Sequence, residues 1–116
     1  MLGLDAKSNP EGFIQGFNDN PFHRYLGLEI VEQRADYGRL RLQRNDSTPT
    51  GIGGSVHGGV IATMIDMAAV VSVFSNLPDT GSPAGTADLA VTYLRQAHGD
   101  WVDAEAKVIK RGRQLC

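Results

Sequence analysis

Residues 55 to 74 read SVHGGVIATMIDMAAVVSVF, and two features of that stretch could do chemistry. The first is Asp66, a single carboxylate in an apolar run whose neighbours at helical spacing are Ala62, Thr63, Ala69 and Val70. Aspartate is a mediocre helix former, and a carboxylate buried without partners is strongly unfavourable. Asp66 therefore needs a reason to be there: a structural hydrogen bond at an interface, or a reacting group. The second feature is His57-Gly58-Gly59, where the run begins. A helix starting at Gly58 offers unpaired backbone N–H groups and the positive end of its dipole, with no side chains to bar close approach. That suits a carbonyl oxygen that becomes an oxyanion. The same tripeptide also reads as a tight turn into the helix.

Eight residues separate Gly58 from Asp66, a rise of about 12 Å, so one helix cannot present both to the same carbonyl carbon. Two copies packed with these helices antiparallel about a two-fold axis would bring the start of one to the middle of the other, forming two equivalent sites. His57 and Asp66 lie about 2.5 turns apart, on opposite sides of the helix, which disfavours a hydratase-type acid and histidine pair within one chain. No carboxylate or cysteine stands at ligand spacing from His57, so neither a metal nor a cofactor is expected.

The elements that must position these groups follow from patterning. Asn9 reads as an N-cap, Pro10 as the first helical residue and Glu11 as a first-turn acid, which predicts a short helix to about Asn18 packing by Phe13 and Phe17. LGLEIVEQRADYGRLRLQRND alternates around a turn at Asp36 to Gly38, with Leu28, Ile30, Leu40 and Leu42 on one face and Arg39, Arg41 and Gln43 toward solvent. STPTGIGGSVHGG is a glycine-rich loop delivering the chain into a helix from Gly58 to Ser75. After the break LPDTGSPAG, the runs GTADLAVTYLRQ and DWVDAEAKVIKRG predict two long antiparallel strands joined by AHGD. Ala87, Leu89, Val91 and Tyr93 share a face of the first, and Val102, Ala104, Ala106 and Val108 a face of the second. Short helix, two strands, long apolar helix and two strands make an α+β chain with the helix on one face of an antiparallel sheet. The helix is apolar nearly all round, so a second subunit or a strongly curved sheet must cover what one sheet face leaves open.

The bulk numbers exclude several classes. A chain of 116 residues is expected to form a single domain spanning 1–116. The net charge of −2 and scattered basic residues give no footprint for nucleic acid. The single cysteine, Cys116, rules out an intramolecular disulfide. The N-terminus lacks a basic and an apolar signal region, and residues 58–74 are too short and interrupted to span a bilayer, so the expectation is a cytoplasmic protein without membrane association.

The stretch from VHGGVIATMIDMA through TADLAVTYLRQA to AEAKVIKRGRQ resembles the hotdog-fold thioesterases of the phenylacetate-degradation (PaaI) type, over about residues 22 to 116. The resemblance implies a long helix wrapped by a curved antiparallel sheet, pairing of two chains as a dimer and often as a dimer of dimers, and hydrolysis of acyl-CoA. It implies that Asp66 is the catalytic carboxylate, as general base or nucleophile, and that Gly58 is the donor to the thioester oxygen. Thr86 matches the Ser or Thr that places the water or carboxylate, and His57 the motif histidine that shapes the turn. Gly59 is carried along as a substrate contact. Arg95, Lys107, Lys110, Arg111 and Arg113 could meet the phosphates of coenzyme A, or form a solvated strand edge. Two departures stand out. Gly51 occupies the position where many members have Asn, leaving Thr50 or Ser55 as substitutes. The family also continues with another long strand where this chain stops at Cys116, so the expectation is a sheet lacking that strand in a sequence shortened at its C-terminus. A non-catalytic acyl-CoA-binding module is the alternative reading.

Overall fold

The computed structural model describes residues 6–79 and 82–116. Thr80 and Gly81 of the LPDTGSPAG break lie outside the described residues. The elements run α1 (Pro10–Asp19), α2 (Pro21–Leu26), β1 (Leu28–Arg34), β2 (Tyr37–Gln43), α3 (Gly58–Phe74) and β3 (Trp101–Lys107). The α1 start is as patterned: Asn9 caps it by accepting the Gly12 N–H, Pro10 leads, and Phe13 and Phe17 are buried. The short α2 was not anticipated. Asn20 caps it, and Gly27 ends it in the left-handed region at φ 73°, which returns the chain into β1.

The sheet is antiparallel in the order β1-β2-β3. Leu28 faces Leu42 and Ile30 faces Leu40, and beyond Ile30 a register shift puts Glu32 opposite Arg39. On the other side of β2, Leu40 and Leu42 face Ala104 and Val102. These residues form the inner face of the sheet, on which α3 lays Val60, Met64, Ala68 and Val71. β2 approaches the helix so closely at Gly38 that an added Cβ would stand 2.7 Å from Val71 Cγ1. The hairpin tip is fastened to the end of α3: the Asp36 N–H donates to Ser75 Oγ, and Arg111 donates both to the Asp36 carboxylate and to the Val73 carbonyl.

The strand expected over 85–96 does not form. Among the described residues this segment belongs to no ladder, and 82–90 are exposed throughout. Trp101–Lys107 is a strand as expected, but its partner is β2 rather than 85–96. The physical reason is register. Val102, Ala104 and Ala106 continue the apolar inner face beside Leu42, Leu40 and Gly38, where α3 covers them. Residues 86–93 instead attach to α3 through the side chains of Thr86 and Tyr93.

The outer face of the sheet is a charged lattice. Asp103 accepts from Arg41 at 2.7 and 3.0 Å and from Arg39 at 2.9 Å, and the Arg41 guanidinium lies over Trp101. No helix among the described residues is long and apolar enough to cross a membrane.

Candidate active site

Four backbone N–H groups open at the start of any helix. At α3 these belong to His57, Gly58, Gly59 and Val60, and three of them are satisfied, that of His57 by the Pro49 carbonyl. The His57 ring accepts the Gly59 N–H on Nδ1 at 2.9 Å, so His57 is the N-cap, with its lone pair on Nδ1. The His57 carbonyl accepts Val60 N–H at 2.9 Å and Ile61 N–H at 3.1 Å. Only the Gly58 N–H has no partner among the described residues. A peptide is planar and its N–H lies trans to its C=O. With the His57 carbonyl turned into the helix, the Gly58 N–H points out of its N-terminus.

Gly58, which carries this donor, lines a cavity of about 520 Å³, whose apolar lining includes Ile52, Val56, Ile61 and Leu94. Gly59 has its own reason to be glycine: a Cβ there would come within 3.1 Å of His57 Nδ1 and crowd the cap. The loop before the helix is held by His57 N–H to the Pro49 carbonyl and by Val56 N–H to the Ala97 carbonyl.

Asp66 sits half-buried in mid-helix and outside this cavity. It is off the core stripe of Val60, Met64 and Ala68, on a side where Ile65 and Ala69 are exposed. Its Oδ1 accepts the Thr86 hydroxyl at 2.5 Å. Within one chain, then, the free N–H and the carboxylate are separate, about two turns of helix apart.

The other predicted residues divide between the two ends of α3. Arg95 lines the same cavity as His57 and Gly58. Lys110 and Arg113 line a second depression of about 530 Å³ near the C-terminus. Arg111, between them, is engaged by Asp36 and the last carbonyls of α3, and its guanidinium holds the Asp36 carboxyl below the usual carboxylate range. Lys107 closes β3 opposite Tyr37. In the loop, Gly51 donates its N–H to the Ser55 carbonyl, and the buried Ser55 hydroxyl donates to the Ile52 carbonyl, so Ser55 Oγ is spent on the turn.

One participant was missed. Tyr93 donates its hydroxyl to the Gly58 carbonyl at 2.8 Å, with its ring beside the Gly58 Cα. The alternating pattern placed Tyr93 with Leu89 and Val91 as an apolar strand face, and nothing in local spacing signals a contact 35 residues back.

Comparison with known proteins points one way. A sequence model of the Thioesterase superfamily matches residues 53–116. The chain is 37% identical to a Halobacterium salinarum protein whose name marks it as an esterase candidate, over 97% of this chain and 76% of that protein. It is 31% identical to the medium/long-chain acyl-CoA thioesterase YigI of Escherichia coli, over 82% of this chain and 70% of that protein. Among solved structures, zebrafish thioesterase superfamily member 2 aligns with a TM-score of 0.72 at 25% identity, covering 92% of this chain and 78% of the other. A thioesterase family protein of Silicibacter pomeroyi aligns at 0.73 with 26% identity, covering 85% and 71%.

Proposed function

Because this chain belongs to the thioesterase superfamily and has its α+β hotdog architecture, we propose that it hydrolyses an acyl-CoA thioester to a carboxylate and free coenzyme A. The observation that carries this reading is the Gly58 N–H, unpartnered among the described residues and directed out of the N-terminus of α3, on a residue that lines a cavity walled in part by Ile52, Val56, Ile61 and Leu94. The Gly58 N–H holds the thioester oxygen and stabilises the negative charge that gathers there as the carbonyl carbon becomes tetrahedral. Asp66 takes a proton from water, and the hydroxide so formed adds to the carbonyl carbon. Collapse of the intermediate breaks the C–S bond, the departing thiolate takes the proton held by Asp66, and the carboxylic acid product loses its proton to solvent.

Both groups act on one carbon only if a second copy supplies one of them. Support comes from α3 itself: the side bearing Asp66 also carries Ile65, 36% exposed, and exposed Ala69, apolar surface that the sheet leaves uncovered. A dimer with α3 helices antiparallel covers it and builds two shared sites. Such pairing accords with a PaaI-type assembly. The apolar part of the cavity lining and the named specificity of the Escherichia coli relative favour a medium- or long-chain acyl group.

The test is steady-state hydrolysis of acetyl-, hexanoyl-, decanoyl- and palmitoyl-CoA by the wild type and Asp66→Asn, with free thiol as the readout. Asp66→Asn is expected to lower kcat by about two to three orders of magnitude with KM within a few-fold, as for a group acting on the reacting atoms. Near-normal turnover in the variant would overturn the role of Asp66, whereas saturable acyl-CoA binding without turnover in the wild type would favour the binding module.

A further inference from the structure

We infer that Tyr93 is a positioning residue for the oxyanion donor: its hydroxyl pins the Gly58–Gly59 peptide and so keeps the Gly58 N–H in place. This inference rests on the reading of Gly58 as the donor to the thioester oxygen.

The helix begins with two glycines in succession, the residues that most readily leave helical geometry. A first turn of this kind frays unless something outside the ladder holds it. The structure grips one peptide unit from both ends. The C=O of Gly58 accepts the Tyr93 hydroxyl at 2.8 Å, and the N–H of the same peptide, on Gly59, is accepted by His57 Nδ1 at 2.9 Å. Since the peptide is planar, two bonds at its opposite ends fix its orientation. The preceding peptide is then held through the His57 carbonyl, which needs the Val60 and Ile61 N–H groups in helical position. Its own N–H, that of Gly58, is left as the free donor.

Tyr93 is suited to this task and not to core packing. Its side chain is on the cavity wall, the residue is 55% exposed, and its ring carbon would lie 3.6 Å from a Cβ built on Gly58. Thr86, seven residues earlier, makes the matching contact with Asp66. One segment thus delivers a hydroxyl to each of the two groups on α3 that the proposed reaction uses.

Tyr93→Phe keeps the ring and removes the bond. Gly58→Pro removes the donor with little reason to disturb the turn: proline is favoured at a first helical position, and His57 at φ −54°, ψ 135° already has the conformation preferred before proline. The experiment measures decanoyl-CoA hydrolysis by wild type, both single variants and the double variant. Tyr93→Phe is expected to lower kcat about tenfold with KM within about twofold. In the Gly58→Pro background the same change should alter kcat less than about twofold, since no N–H remains to be positioned. Unchanged kcat in Tyr93→Phe, a loss confined to KM, or equal factors in both backgrounds would overturn the inference. Wild-type turnover in Gly58→Pro would overturn the donor reading itself. Amide hydrogen exchange supplies a measurement that does not depend on the proline variant. In Tyr93→Phe the Gly59 amide should exchange about tenfold faster while those of Met64 and Ala68 hold their rates, and unchanged Gly59 exchange counts against Tyr93 as the anchor.

Discussion

The Thr86 hydroxyl donates to Oδ1 of Asp66 at 2.5 Å, linking an exposed segment to the middle of α3 across 20 residues of sequence. The contact fixes the rotation of a half-buried carboxylate and leaves Oδ2 without a hydrogen-bond partner among the described residues. In the proposed reaction, an acceptor held in this way would take a proton from water without first reorganising.

Thr86→Ala should therefore lower kcat by about 10–100-fold, the range expected for a hydrogen bond to a charged group, while leaving KM within a few-fold. Thr86→Ser, which keeps the hydroxyl, should retain most of the activity. Equal losses in both variants would show that the threonine methyl, not the hydroxyl, matters.

A shared site can be tested by mixing. Gly58→Pro and Asp66→Asn chains are each expected to keep only a small residual activity alone, about two to three orders of magnitude below wild type. A heterodimer of the two contains one doubly defective site and one intact site, so random pairing after co-refolding should restore about a quarter of all sites. A site built within one chain would show no recovery at any ratio.

Gly38 is held by the closeness of β2 to α3. An added Cβ would meet Val71 Cγ1 at 2.7 Å and the Ser72 backbone nitrogen at 3.0 Å, and the latter cannot swing aside as a side-chain tip can. Gly38→Ala is expected to cost about 1–3 kcal/mol through overpacking. Urea unfolding should show a lower midpoint at an unchanged slope.

Acid should weaken the outer face of the sheet. Hydrogen bonds from Arg41, with further help from Arg39, hold the Asp103 carboxyl below the usual carboxylate range against the opposing effect of burial. A lowered folded pKa means the unfolded chain takes up the proton first as pH falls. The stabilisation by Asp103 is then complete above the ordinary carboxylate range and is lost as pH drops through it to the lower folded value. Asp103→Asn should lower Tm at neutral pH by roughly 3–5 °C, corresponding to about 1 kcal/mol. That difference should close in acid, and a gap that persisted there would assign the loss to packing.

How much of this could be read from the chain depended on the range of the interaction. The α1 cap at Asn9, the burial of Phe13 and Phe17, the β1–β2 hairpin around Asp36 and the extent of α3 were all legible, because capping, periodicity and turn chemistry act between near neighbours. The motif VHGGVIATMID carried the family as well, and its candidate groups, Gly58 and Asp66, could be picked out because each is chemically unexpected where it stands. Residues 85–96 mark the boundary. Their alternation has the period of a strand, but a strand exists only if a neighbour completes its ladder, and that depends on which surfaces meet. Tertiary packing joined β3 to β2, tied Arg111 to the hairpin tip, and brought the Thr86 and Tyr93 hydroxyls to Asp66 and Gly58. These contacts span 20 to 75 positions of sequence, and no local pattern encodes them because they result from the relative placement of whole elements.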